Sequence, residues 1–108
     1  MYEQLLAALQ ATGLPLAEYA WDTNPAENFL VVSIDGQGGT MSANDQISEQ
    51  AVEGSIDLYC YDNDRANIAT IQNILNGLSG CAWRMNSVQY EPETRLIHWE
   101  WVFQLAVM

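Results

Sequence analysis

The only histidine of this chain, His98, is followed two positions later by Glu100, and this pair is the first place where residue type and spacing could do chemistry. On a strand the two share a face. A His-x-Glu pair can ligate a metal or pass protons. One imidazole and one carboxylate are too small a donor set for a transition-metal site, so the pair reads as polar residues of a strand face. Asp62-Asn63-Asp64 has the opening of a calcium loop but neither the glycine nor the distant glutamate that an EF-hand loop needs. Helix capping is the better reading, with weak divalent binding by the surface acids left open. Asp35-Gly36-Gln37-Gly38-Gly39 follows a strand, as a phosphate loop does, but no Lys-Ser/Thr pair follows and no helix pattern begins there. It reads as a hairpin tip that continues to about Gln46. No G-x-S-x-G elbow occurs, and one histidine without any lysine leaves nucleophilic catalysis little to work with. The expectation is a non-enzymatic chain with no cofactor and no metal.

Charge is the outstanding compositional feature. Fourteen acidic residues face three arginines (Arg65, Arg84, Arg95), for a formal net charge of −11. Such a surface repels nucleic acid and anionic membranes. It argues against a DNA- or RNA-binding module. Its plain meaning is solubility; its sharper meanings are an acidic mimic of DNA, or a surface that DNA must pass without sticking. The length, 108 residues, suits one domain spanning 1–108 with one core. No apolar run approaches the roughly 18 residues that span a bilayer. MYEQLLAALQ has no basic n-region and reads as a helix of the fold, not a signal peptide. Cys60 and Cys81 have no metal or redox spacing and read as two buried thiols, although sequence does not show whether their sulfurs meet.

The elements that must position these residues follow from periodicity. Tyr2, Leu5, Leu6 and Leu9 make a helical stripe, stopped by Gly13 and Pro15. A helix this short must dock on something, for which a sheet is the expected partner. Leu16 to Trp21 suits a short strand, Asp22-Thr23-Asn24-Pro25 a turn, and Phe29 to Ile34 a strand covered on both faces or a central one. From Ile47 the chain alternates: Val52, Gly54, Ile56, Leu58 and Cys60 point one way, and Ala51, Glu53, Ser55, Asp57, Tyr59 and Tyr61 the other. That is a half-buried strand with one acidic, tyrosine-bearing face, and Gly54 suggests a bulge. Ile68, Ile71, Ile74, Leu75 and Leu78 form a second helical stripe, with Gly77 in its last turn and Gly80 as its C-cap. A hairpin closes the chain: Trp83 to Tyr90, a turn at Glu91-Pro92-Glu93-Thr94, then Arg95 to Val107. In its second strand Ile97, Trp99, Trp101, Phe103, Leu105 and Val107 share one face, suited to a core or to an interface. Leu96, His98, Glu100, Val102, Gln104 and Ala106 share the other. The fold class is α+β, a mainly antiparallel or mixed sheet of four to five strands with two helices packed on one face.

The order of these elements resembles the small tail-terminator or tail-completion (head–tail joining) proteins of long-tailed bacteriophages and prophages. The resemblance is carried by the helix Tyr2–Thr12, the x-P-x-x-x-F-L-V-V-S strand at Pro25–Ser33, and the glycine-rich loop. It continues through SIDLYCYDND at Ser55–Asp64, the helix Ala66–Leu78 and the C-terminal hairpin of alternating aromatics. It covers nearly the whole chain and holds no catalytic signature. It implies a structural virion protein that caps the tail tube as a ring, usually a hexamer, in a tail assembled in the bacterial cytoplasm. It also implies contacts with a tail-tube protein and a head connector, with DNA only as cargo through the channel. An acidic channel would let DNA slide without holding it. Ring closure needs heterologous contacts. The candidates are Gly36, Gln37, Gly38, Gly39 and Met41 in the loop, Glu53, Asp57, Tyr59 and Tyr61 on the polar face, and Trp99 and Trp101 in the hairpin. The alternative class is an acidic DNA-mimic inhibitor that binds a basic nucleic-acid-binding protein. A third, an enzyme or ligand-binding domain, requires a concave pocket with converging polar groups, and no cluster in the sequence announces one.

Overall fold

The computed structural model describes residues 2–38 and 50–107. In chain order they form α1 (Tyr2–Gln10), β1 (Leu16–Glu18), β2 (Phe29–Gly38), β3 (Gln50–Cys60), α2 (Arg65–Gly77), β4 (Cys81–Glu91) and β5 (Leu96–Val107). The strands make one mixed sheet in the order β1-β2-β3-β5-β4. β1 runs parallel to β2, and every other neighbouring pair is antiparallel. The α+β class and the mixed five-stranded sheet with two helices agree with the periodicity.

Both helices lie on one face because each carries a single apolar stripe. Leu5 and Leu9 of α1 and Ile71 and Leu75 of α2 are fully buried in one cluster with Leu30, Val32, Ile56, Leu58, Trp101, Phe103 and Leu105. Side chains of this size each stabilise the fold by about 1.5–3 kcal/mol when removed from water. α1 stops at Gln10, two residues short of the expected end: the Thr12 hydroxyl donates to the Leu9 carbonyl at 2.6 Å, and Gly13 follows with φ 82°. α2 begins at its cap, where the Asp64 carboxylate accepts from the Asn67 backbone N–H at 3.2 Å. Burial works against ionisation of Asp64, but hydrogen bonds from Asn67 and Asn28 outweigh it and hold the carboxyl below its ordinary range. The Asp62–Asp64 run is thus a cap and a clamp, since Asn28 Nδ2 also donates to Asp62 at 3.1 Å and to Asp64 at 2.8 Å.

Several expectations need correction. β2 does not end at Ile34. It continues through Gly36, Gln37 and Gly38, which pair with Glu53, Val52 and Ala51 after a bulge at Asp35. The glycine Gly36 absorbs the irregularity with φ 155°. Those residues are strand rather than loop tip; Gly39, Met41 and the rest of the expected tip to about Gln46 lie outside the described residues. The bulge is therefore on β2, opposite Gly54. Gly54 itself answers to space, since a Cβ there would meet the Ser33 carbonyl at 2.2 Å and Phe103 at 2.7 Å. β1 is shorter than Leu16–Trp21 because Tyr19 turns into the left-handed region, φ 73°. Both cysteines are free; Cys60 is buried, and Cys81 only partly. Cys60 pairs with Ile97 and Cys81 with Leu105 along the same strand. Eight strand residues separate those partners by about 26 Å, far beyond disulfide reach.

Candidate functional site on the helix-free face

Among the described residues no helix lies over the second face of the sheet, and its surface is built by register. Alternation puts Ser55, Asp57 and Tyr59 on that face of β3. Pairing sets Ser33 and Val102 beside Ser55, Val31 and Glu100 beside Asp57, and Phe29 and His98 beside Tyr59. A polar line crosses the middle. Ser33 Oγ lies 3.1 Å from Ser55 Oγ, Ser55 Oγ donates to Asp57 Oδ2 at 3.5 Å, and Asp57 Oδ1 sits 2.6 Å from His98 Nε2. On the far side of the ring, His98 Nδ1 lies 3.9 Å from a Glu91 carboxylate oxygen. The His98 imidazolium is held above its ordinary 6.5, first by the hydrogen bond to Asp57 and then by the charges of Asp57, Glu91 and Glu100, against the opposing cost of burial.

An aromatic row runs beside this line. Trp21 meets Phe29 edge-on at 6.3 Å, Phe29 stacks on Tyr59 at 4.9 Å, and Tyr59 stacks on His98 at 4.3 Å. Burial, with the charges of Asp57, Glu91 and Glu100 adding to it, pushes the Tyr59 hydroxyl up to about 12. The expected half-exposed acidic face is thus corrected. Ser55 and Asp57 are only 6% and 9% exposed, and Leu96 and Ala106, assigned by alternation to the polar row of β5, are 2% and 7% exposed. In a central strand, neighbours on both sides shield the polar face as well as the apolar one.

Chemically, this line orders charge rather than poising a nucleophile. Both ring nitrogens of His98 face carboxylates, and Ser55 donates to Asp57 rather than to the ring. The His98–Glu100 pairing read from spacing does not form: Glu100 accepts from Asn86 Nδ2 at 2.6 Å. Among the described residues no group of three or more His, Cys, Asp or Glu is placed to hold a metal ion.

The remaining candidates separate by burial. Glu53 is exposed near the start of β3, where with Arg84, Val102 and Gln104 it borders a small hollow of about 170 Å³. Tyr61 lies just past β3, 46% exposed, its hydroxyl donating to the Pro25 carbonyl at 2.9 Å. Trp99 is partly buried, packed on the core and stacked with Trp101 at 6.4 Å. Trp101 is fully buried and belongs to the core, which corrects its place among the interface candidates. The residues that sequence reasoning missed are Tyr19, Trp21 and Glu91. With Phe29, Asp57 and Tyr59 they line a groove of about 320 Å³ on this face. Only the unusual φ of Tyr19 marks the spot, and no periodicity reports it. The chain matches no protein-family model and no curated protein.

Proposed function

We propose that this chain is a non-catalytic assembly subunit of the tail-terminator kind, a ring former that caps a tail tube and joins tail to head. Its setting would be the virion tail, with a tail-tube protein on one side, a head connector on the other, and DNA passing through the centre. The observation that carries this reading is the outer edge of β4. It is eleven residues long, it ends the sheet, and among the described residues no strand pairs with it. Val88 and Tyr90 stand 47% and 59% exposed along it. Natural sheets blunt such edges with charge, proline or bulges, or cover them; here there is one bulge, at Asn86, and Arg84 and Glu91 are the only charged residues of the strand and cancel. In a chain of net charge −11 a strand whose own charges cancel adds no repulsion to the approach of a second copy. The opposite edge, β1, is three residues long. Two unlike edges favour head-to-tail, heterologous contact, the kind that closes rings.

The test is mass in solution by light scattering after gel filtration, across protein concentration and with and without magnesium, followed by negative-stain microscopy. Closed rings that Val88→Lys converts to monomer support the reading. A chain that stays monomeric even when mixed with tail tubes, and does not cap them, overturns it. The acidic excess favours one other reading, a DNA mimic. That reading requires tight capture of a basic DNA-binding protein that weakens steeply with salt, whereas an edge contact built on strand pairing and apolar side chains is much less salt-sensitive.

A further inference from the structure

The helix-free face carries a feature that assembly through β4 leaves unused, the groove between the Tyr19–Asn24 loop and the strands. We propose that this groove is a binding site for the head of an organic cation, a guanidinium or ammonium group. Its walls are aromatic: Tyr19, Trp21, Phe29 and Tyr59 all line it. Its acids are Asp57 and Glu91. Faces of aromatic rings attract cations; Tyr59 is stacked between Phe29 and His98, so the rings left to meet a cation are Tyr19 and Trp21, with the carboxylates beside them. The volume, about 320 Å³, suits a small head group and not an extended ligand.

Three further observations bear on the same spot. Tyr19 holds a left-handed backbone, φ 73°, that a residue with a bulky side chain rarely adopts, and its ring stands 63% exposed at the groove. Its backbone N–H is tied to the Val32 carbonyl at 2.9 Å, and the Trp21 indole donates to the Leu30 carbonyl at 3.2 Å, so the strained loop is pinned to β2. Strain of this kind gathers where ligands bind. Second, the carboxylates keep accepting capacity. Asp57 spends one oxygen on His98, and its other bond, from Ser55, is a long 3.5 Å. Glu91 accepts from Thr94 Oγ1 at 3.2 Å, and its side chain is 40% exposed. Third, none of the groove residues is basic, and charges here sum to −1 even with His98 protonated beside Asp57 and Glu91 (−2 + 1). The potential at the groove is negative before any ligand arrives. This inference stands apart from the assembly reading, since it is tested on the isolated chain with small ligands.

The experiment is an amide and indole NMR titration with Nα-acetyl-argininamide and with tetramethylammonium chloride. Sodium chloride at equal ionic strength and the citrulline amide, neutral and nearly isosteric, serve as controls. The expected result is saturable shifts centred on the Trp21 indole and the amides of Tyr19, Asp57 and Glu91. Tyr19→Ala and Glu91→Gln should each weaken binding by about two- to fivefold, and both together by about tenfold, with circular dichroism unchanged because Tyr19 is largely exposed and Glu91 partly so. A capped Gly-Arg-Gly peptide that binds more tightly than the free amide would place the cation on a partner's side chain, and equal affinity would place it on a small molecule. Equal binding of the citrulline amide, shifts spread over the whole acidic surface, or affinity untouched in both variants would overturn the proposal.

Discussion

The two faces of this sheet are made by the same strands and sealed by opposite means. On one, helices α1 and α2 cover an apolar row, and Leu9, Ile56, Ile71, Leu75 and Trp101 are fully buried. On the other, no helix arrives among the described residues, yet Asp57 is 9% exposed and Ser55 6%. Cross-strand neighbours do the covering there, through the Ser33–Ser55–Asp57–His98 line and the Phe29–Tyr59–His98 stack. The lesson is that a central strand can bury polar residues without a second layer when each finds a partner across the register. The first face is held by non-directional burial and the second by directed bonds, so the two should fail differently.

The largest expected effect is at the helix-covered face. Gly54→Ala drives a methyl into the Ser33 carbonyl and the Phe103 ring, and an overpacked site of this kind costs about 3 kcal/mol or more in urea unfolding. A Gly54→Ala variant as stable as the parent would mean that β2 and β3 can part at the bulge. Next comes Leu75→Ala, which opens a cavity under α2 and should cost about 2–5 kcal/mol in the same measurement. On the polar face, Asp57→Ala leaves His98 and Ser55 without their acceptor. Its expected cost is about 1–3 kcal/mol, and the His98 titration followed by NMR should fall from above 6.5 toward or below it. If His98 keeps its raised value in that variant, Asp57 is not the residue that sets it.

The pH dependence sharpens the comparison further. His98 is raised in the folded state, so the stability it contributes is fully present below 6.5, its ordinary value, and is lost as pH climbs through the raised folded value. Urea midpoints should therefore decline across that window, and the difference between parent and His98→Gln should shrink over the same interval. A difference that is flat with pH would detach the imidazolium from the stability of this face. Smallest of all for folding is Val88→Lys, on the open edge of β4: less than about 0.5 kcal/mol in stability, but complete loss of any self-assembly seen by light scattering. Between them, these variants separate what holds the subunit together from what joins subunits.

Much of the fold was legible. Leu5 and Leu9, and Ile71 and Leu75, lie at helical spacing, and both pairs face the sheet as that spacing requires. The alternation of β3 sorted its side chains correctly onto two faces. What it could not state was how many neighbours each face would have, and so the middle of the acidic face, at Ser55 and Asp57, turned out buried. The same blindness placed Trp101 among interface candidates: a row of aromatics on one side of a strand looks the same whether a helix or another protein covers it. The glycine run after Ile34 looked like a tip because glycine and polar residues rarely continue a strand, whereas here a bulge at Asp35 lets β2 go on pairing with β3.

By itself the sequence determined the element types, the two helical stripes, the acidic charge balance, and the alternation that sets which residues share a face. These are properties of neighbours along the chain, where spacing of 2 or 3.6 residues decides. Only the tertiary structure decided that Asp57 meets His98 across neighbouring strands, that Tyr19, Trp21 and Glu91 line one groove, and that among the described residues no strand pairs with the outer edge of β4. Those relations join residues up to 72 positions apart, as with Tyr19 and Glu91 in one groove (91 − 19). They depend on strand order and register, which are set by the packing of the whole chain and leave no local periodic trace.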